Sequence, residues 1–557
     1  MDLGRIFLKH GLLTSAELAP LCAQGEKGRL DRQVIERGMA TEEQVLRALA
    51  QEFGLRYVDA ASINVDPQLL ATFSPQEIFR HRVFPIERQA RRVVLATSDP
   101  LNLEAFDELA AATGLELEPA VMAQPELQRL IKSSLGVGGG TVETLVSQAE
   151  ADPGVASHTG TQELDASDAS EQASVVKLVN ELLLDAVEQW ASDIHLELEE
   201  KGLTIRYRVD GLLRLEPAPP AIHQLRAAIV SRLKIMAGLN IAEKRLPQDG
   251  RIKLRLADRD IDVRVSVIPM LHGEGIVLRL LDKGRLVFDL DQLDLPARLA
   301  PTFRKLIGLP HGIVLVTGPT GSGKTTTLYS ALATIRNATT KIITIEDPVE
   351  YNLPGISQIQ IHSKIGLTFA AGLRSILRHD PDVILVGEVR DSETAQAAIQ
   401  SALTGHLVFS TLHTNDACGA YTRLVEMGIE PYLVASTIEG VLAQRLVRRL
   451  CTSCRVPHAC DNQLPADFPR ERAGQLFRAG GCKHCHGTGY RGRIAIFELL
   501  RTDAGLRRLC LDRAAASDIR SYASQQGFLT LRANGWERVL EGLTTVDEVL
   551  RVSTDAE

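Results

Sequence analysis

Four clusters in this 557-residue chain have residue types and spacing that could do chemistry. The first is Gly318-Pro319-Thr320-Gly321-Ser322-Gly323-Lys324-Thr325-Thr326, which fills the spacing G-x-x-x-x-G-K-[ST]. It follows an apolar run at 313–316 and precedes a helical pattern at 327–335. Glycines let backbone close around an anion, and loop N–H groups with a helix N-terminus cradle phosphates. Lys324 is then placed to reach the β- and γ-phosphates, and the Thr325 hydroxyl to hold Mg²⁺. An ordinary glycine turn has no reason to fill every one of these positions, so a nucleoside triphosphate is the expected ligand.

The second cluster is acidic. Glu346-Asp347-Pro348-Val349-Glu350 ends one apolar run, and Gly387-Glu388-Val389-Arg390-Asp391 ends another at 383–386. Carboxylates at strand C-termini face the crevice where α/β sheets bind ligands. The usual second phosphate-site motif ends in Asp-Glu, but Gly387 fills the Asp place. Mg²⁺ must therefore lean on Thr325, phosphate oxygens and water, with Glu346 or Asp347 further out. Glu388 is the residue expected to orient or deprotonate the attacking water; the plainer alternative is a helix-capping carboxylate. His406 and His413 flank a fourth apolar run, 407–412. They could sense the γ-phosphate through a neutral imidazole or be satisfied structural histidines.

The third cluster is basic. Arg264 and Arg279 sit on strand-like segments of a small α+β region ahead of the loop. They are surface charges, or they reach a γ-phosphate from a hinge or a neighbouring subunit, where a guanidinium is worth about 10³–10⁵ in rate. Arg374 and Arg378, four apart, share a helix face and could bridge subunits. The fourth cluster is Cys451-x₂-Cys454 with Cys482-x₂-Cys485, two knuckles that suit tetrahedral Zn²⁺ with a loop extruded between them. Cys460, His484 and His486 are alternative ligands, and a redox pair is the competing reading. Asp193 and His195 lack a third ligand and read as a turn residue and a packed imidazole.

The length calls for several domains. With 45% apolar and 24% charged residues and a formal charge of −8, the chain reads as ordinary globular protein. No basic run suggests a nucleic-acid-coating protein. No stretch of about 18 apolar residues suggests a membrane span, and Met1-Asp2-Leu3-Gly4-Arg5 lacks a signal-peptide layout. The expected location is cytoplasmic, with membrane contact borrowed from a partner.

The N-terminal region carries a weak repeat. Leu3 recurs as Leu30, Gly11 as Gly38, Thr14 as Thr41 and Gln24 as Gln51. Thr14 with Glu17 and Thr41 with Gln44 make capping boxes, so two helical hairpins are expected. A strand at 93–97 and a helix from Leu103 follow. The organisation expected is α/β multidomain: residues 1–135 a partner-docking domain; 136–172 a flexible linker of small and polar residues; 173–285 an α+β middle domain; 286–300 a second linker; 301–450 a RecA-like P-loop ATPase domain; 451–500 a Cys₄ zinc insertion; and 501–557 short C-terminal helices. In the middle domain, 204–209 and 261–267 alternate as half-buried strands, and Asp210-Gly211 is a hairpin turn.

From about residue 173 to the end, the chain resembles secretion ATPases of the type II/type IV pilus superfamily. The phosphate loop, Glu346 to Glu350, Asp382 to Asp391 and Thr404 to Asn415 carry the resemblance. The knuckles, with Gly489-Tyr490-Arg491-Gly492-Arg493, fit as well. Asp262-Val263-Arg264-Val265-Ser266, Met427-Gly428-Ile429-Glu430-Pro431 and Leu442 to Arg448 fit best the type II branch, general secretion pathway protein E. Gly275 departs from it. The resemblance implies a homohexamer with ATP between subunits, and Arg264 and Arg279 contacting it. It also implies docking of 1–135 on a membrane-anchored cytoplasmic adaptor, an inner-membrane platform protein as second partner, and pseudopilus assembly for protein export. Some relatives bind cyclic di-GMP through paired Arg-Leu-Gly repeats. Here the copies read Asp2-Leu3-Gly4 and Arg29-Leu30-Asp31, and neither is complete. The alternatives are a type IV pilus assembly ATPase, a nucleic-acid translocase and a cyclic di-GMP receptor.

Overall fold

The computed structural model describes residues 3–15, 17–18, 21, 29–60, 63, 65–139, 141–142, 166–200, 202–256, 259–282, 288–458, 464–472 and 474–553. They fall into two compact units, Met1–Asp282 and Lys283–Glu557.

The first unit opens on helices Leu3–Lys9, Leu30–Glu36 and Glu42–Phe53. Phe7, Val34, Val45 and Leu49 are buried together, as the repeat requires. The capping box is complete at Thr41 and half made at Thr14. Thr41 and Gln44 exchange side-chain and backbone hydrogen bonds, and Thr14 donates its N–H and hydroxyl to Glu17. A four-stranded sheet follows: β1 (Arg56–Tyr57), β2 (Val83–Gln89), β3 (Arg92–Thr97) and β4 (Glu116–Val121), ordered β1-β4-β3-β2. Helices Leu103–Thr113 and Gln124–Leu135 cover it.

Six antiparallel strands form the next sheet: β5 (Ala191–Glu199), β6 (Gly202–Val209), β7 (Leu212–Leu215), β8 (Gln248–Leu256), β9 (Arg259–Met270) and β10 (Gly273–Asp282). The order is β7-β6-β5-β10-β9-β8. The alternation in β6 buries Ile205, Tyr207 and Val209 against Leu178, Leu182 and Ile229 of two helices, leaving the other face polar. Asp210 and Gly211 both have positive φ, 49° and 88°, so the hairpin closes as the dipeptide predicts. The linker expectation needs amending where it is described. A helix begins at Ala166, inside the expected linker, and runs to Glu188. Val137 and Val142 are buried in the same core as Leu178. Residues 143–165 lie outside the described residues, as does Cys460.

The second unit is built on seven strands: β11 (Gly312–Thr317), β12 (Ile342–Glu346), β13 (Ser357–Gln360), β14 (Val383–Val386), β15 (Leu407–Leu412), β16 (Ile438–Leu450) and β19 (Tyr490–Arg501). Their order is β13-β12-β14-β15-β11-β16-β19, parallel except for β19. The four central strands β11, β12, β14 and β15 are buried along their whole length, the mark of a parallel sheet covered on both faces. A ribbon of β17 (Val456–His458) and β18 (Leu476–Arg478) carries the knuckles. Helices Ala504–Leu511, Ala516–Gln525, Leu531–Leu540 and Val546–Val552 complete the unit, as the short-helix reading of the tail anticipates.

Candidate nucleotide and metal sites

β11 delivers the glycine-rich loop at its C-terminal end, and Gly323 caps helix Lys324–Ile335. Gly318 has φ 146°, and a Cβ there would lie 2.5 Å from the Gln444 carbonyl oxygen. Gly323 has φ 89°, and its Cβ would meet Gln444 Nε2 at 2.8 Å. Only glycine fits either place. Gln444 is buried and accepts a hydrogen bond from Thr327 Oγ1 at 2.7 Å, so β16 props the loop from behind. Lys324 folds over the loop and donates from Nζ to Gly318 O at 2.7 Å and Pro319 O at 3.0 Å. Burial lowers its ammonium to about 8, Glu388 opposes the shift and Arg445 adds to it. Thr325 and the loop's Pro319, Thr320 and Gly321 are exposed, while Ser322 is buried.

Glu388 follows β14, the strand hydrogen-bonded to β15. Its carboxylate is 13% exposed, pairs with Arg390 Nη2 at 2.5 Å and lies 3.3 Å from His413 Nε2. A carboxylate cap for the next helix exists, but it is Asp391, which accepts from Thr394 N–H. Gly387 has a steric reason. A Cβ there would be 3.3 Å from both Glu346 Cα and the Ile345 carbonyl oxygen, a tight fit that any side chain would have to relieve by a small backbone shift. Glu346 ends β12, is buried, and accepts from the Tyr329 hydroxyl, from Thr344 Oγ1 at 2.6 Å and from Gln358 Nε2 at 3.2 Å. Tyr329 lies on the phosphate-loop helix, so Glu346 braces that helix rather than opening onto solvent.

The two histidines separate. β11 and β15 are parallel, with Gly312 opposite Leu407 and Thr317 opposite Leu412. His413 therefore emerges at the phosphate-loop end. His406 precedes β15 and sits at the other end, about 20 Å away along a strand of this length. Its Nδ1 lies 2.8 Å from Ser401 O and 3.1 Å from Thr404 Oγ1. The expectation that His406 contacts nucleotide is corrected for the site of its own subunit; there it is a satisfied structural histidine.

In the first unit, register places Arg264 of β9 directly opposite Arg279 of β10 and Arg251 of β8. Arg279 in turn faces Asp193 of β5 and donates to it from Nε at 3.0 Å, and Asp193 faces Arg208 of β6. Four guanidinium groups thus share one row with one buried carboxylate. Asp193 is an arginine partner within β5, not the turn residue expected. His195 is largely buried, and burial lowers its imidazole. Arg374 pairs with Glu393 at 2.9 Å, and Arg378 donates to the Arg374 carbonyl at 3.0 Å.

Cys451, Cys454, Cys482 and Cys485 converge, with every Sγ within 4.8 Å of the others. The Sγ–Sγ distances are 3.8 Å for 451–482, 3.7 Å for 454–485 and 3.8 Å for 482–485. A tetrahedron with Zn–S of about 2.3 Å has edges of about 3.8 Å. Backbone N–H groups of Gly481, Cys482 and Gly489 point at Cys454 and Cys485 sulfurs at 3.1–3.2 Å, as thiolates require. The four residues fit a structural zinc ion. His484 and His486 are not in the set.

Sequence reasoning missed Tyr329, Gln358, Gln444 and Arg445. Gln444 and Arg445 stood inside a noted stretch, but nothing local said that the strand bearing them returns beneath the phosphate loop.

The site and fold define a P-loop secretion ATPase. The family described as "Type II/IV secretion system protein" matches residues 168–551, and an MshEN domain matches 53–140. The chain belongs to the type II/IV secretion ATPase family and is an ATP-hydrolysing enzyme. It is 41% identical to the type IV pilus assembly ATPase PilB of Myxococcus xanthus over 98% of each chain. It is 45% identical to the type II secretion system protein E of Xanthomonas campestris over 93% of this chain and 92% of that one. HxcR, a type II secretion system protein of Pseudomonas aeruginosa, is 55% identical over 70% of this chain and 79% of its own. Among solved structures, the Yersinia pseudotuberculosis ATPase DotB covers 68% of this chain and 93% of itself, with TM-score 0.50 and 21% identity, a likeness of fold alone. No helix among the described residues is long and apolar enough to cross a membrane.

Proposed function

We propose that this chain is the ATP-driven motor of a type II secretion system, acting as a ring of subunits that drives pseudopilus assembly. The observation that carries the reading is the convergence of Lys324 and the Glu388–His413 pair at one edge of one sheet. The strand order supports a RecA-like core, because β15 lies between the phosphate-loop strand β11 and the acidic strand β14. Loop N–H groups and Lys324 hold the phosphates, and Thr325, exposed beside them, is the hydroxyl for Mg²⁺. Mg²⁺ supplies charge neutralisation on the transferring group. Glu388 takes the proton of the attacking water as its oxygen bonds to Pγ and the bond from Pγ to the bridging oxygen breaks. His413 and Arg390 fix the carboxylate's direction.

Arg264 and Arg279 complete the site from a neighbouring subunit. Their register sets the two guanidinium groups side by side on adjacent strands, an arrangement suited to the several oxygens of a triphosphate. The domain limits read from the sequence stay with this proposal, as do a homohexamer, an adaptor docked on 1–135, a platform protein and a peripheral place at the inner membrane. A second reading, type IV pilus assembly, is favoured by the end-to-end match to PilB. Purified full-length protein should release phosphate from ATP with Mg²⁺, and Lys324→Ala and Glu388→Gln should abolish release. Restored secretion of periplasmic cargo, rather than surface pili, on complementing a null strain separates the two systems; wild-type hydrolysis in both variants sinks the motor.

A further inference from the structure

Glu498 of β19 is a buried carboxylate, 3% exposed, that phosphoryl transfer as described does not use. Its two oxygens serve backbone groups of different elements. Ala417 N–H donates to Oε1 at 2.6 Å, and Leu531 N–H donates to Oε2 at 2.9 Å. Ala417 ends the short segment that begins at His413, and Leu531 opens the C-terminal helix Leu531–Leu540. The residues between His413 and Ala417 are gripped one after another. Thr414 N–H donates to Thr317 Oγ1 at 3.0 Å, Arg445 Nη2 donates to Asn415 O at 2.6 Å, and Arg520 pairs with Asp416. Arg520 lies on another C-terminal helix, Ala516–Gln525. A cavity of about 390 Å³, lined among others by Pro319, Asn415, Arg445 and Glu498, opens beside the segment. Asn415 and Asp416 border that cavity, while Ala417 packs into the core.

We infer that Glu498 and Arg520 are positioning residues for ATP hydrolysis, holding segment 414–417 so that His413 keeps its place against Glu388. The C-terminal helices then belong to the catalytic machinery rather than hanging from it. The inference rests on the reading of Glu388 as the base. A carboxylate accepting two N–H groups is the strong form of such a clamp, since hydrogen bonds to a charged acceptor outweigh neutral ones. Burial raises Glu498 to about 7, Asp416 acts in the same direction, and the two N–H groups and Arg520 oppose it. Arg445 and Cys418 also face it, and Arg532 and Arg551 line the same cavity. Protonation takes away the charge that strengthens both hydrogen bonds, so the clamp is firm above pH about 7 and weakens below it.

The test compares wild type, Glu498→Gln and Arg520→Ala as full-length protein, reading kcat and KM for ATP from pH 6 to 9 alongside the melting temperature. Both variants should lose about tenfold in kcat at pH 8 with KM little changed. Wild-type kcat should climb with pH through a limb near 7 that Glu498→Gln lacks. Unchanged kcat in both variants, or a rise in KM alone, overturns the inference. Should Glu498→Gln fail to fold, Arg520→Ala decides, because that side chain is 30% exposed and its loss frees only one ion pair. Glu388→Gln runs alongside. Full hydrolysis there counts against the base, while the Glu498 and Arg520 arms are judged by their own kcat.

Discussion

Arg264 and Arg279 stand directly opposite each other on adjacent antiparallel strands, and Arg251 extends the row onto a third strand. The buried Asp193 carboxylate pairs with Arg279 in that row, and guanidinium groups set side by side suit the several oxygens of a triphosphate. Replacing Arg279 by alanine should lower kcat by roughly 10³ or more; because it also strips the buried Asp193 of a partner, the melting temperature should fall by a few degrees rather than collapse. Mixing the inactive Arg279→Ala and Lys324→Ala proteins tests where the arginine acts. Recovered hydrolysis in the mixture means that it serves a neighbour's nucleotide, and none means that it does not.

Tyr329 and Glu346 make a buried hydrogen bond between the phosphate-loop helix and the end of β12. Tyr329→Phe removes one of three donors to that carboxylate. Stability should fall by about 1–2 kcal/mol, read from urea unfolding of the full chain, with the nucleotide affinity falling less than tenfold. A larger loss of affinity than of stability would mean that Glu346 acts on the metal directly.

The cysteine cluster should hold one zinc ion per chain by elemental analysis. Cys485→Ser or a strong chelator should lower the melting temperature by roughly 5 °C or more, since metal binding is folding energy. A purified protein that is fully stable and free of zinc would refute a structural metal.

Glu548 is 2% exposed and accepts from Arg448 N–H at 2.9 Å, with Arg448 and Arg551 paired to it at 2.7 and 2.8 Å. Despite the opposing effect of burial, these bonds hold its carboxyl down at about 2. The folded value lies below the unfolded one, so the stabilisation is present above pH about 4.5 and is lost as pH falls toward 2. Glu548→Gln should therefore cost about 2 kcal/mol at pH 7, allowing for solvent screening, and much less near pH 2. A pH-independent difference would point to packing instead.

Much of the site was legible before any coordinates, and for one reason. The phosphate loop, the Asp210-Gly211 hairpin, the Thr41 capping box and the cysteine knuckles are each written in a few consecutive residues, where backbone freedom and ligand spacing act locally. The sequence by itself determined those features. Only the tertiary structure decided which histidine shares the phosphate-loop end of the sheet, because the direction of β15 puts His413 and His406 at opposite ends of one strand. Strand register, likewise, is what lines up Arg251, Arg264 and Arg279. Gly387 is pressed closely by Glu346 and Ile345 from the next strand. Glu498 reaches Ala417 and Leu531 across wide gaps in the chain. Such contacts depend on how a seven-stranded sheet closes around its core, and no window of neighbouring residues carries that information.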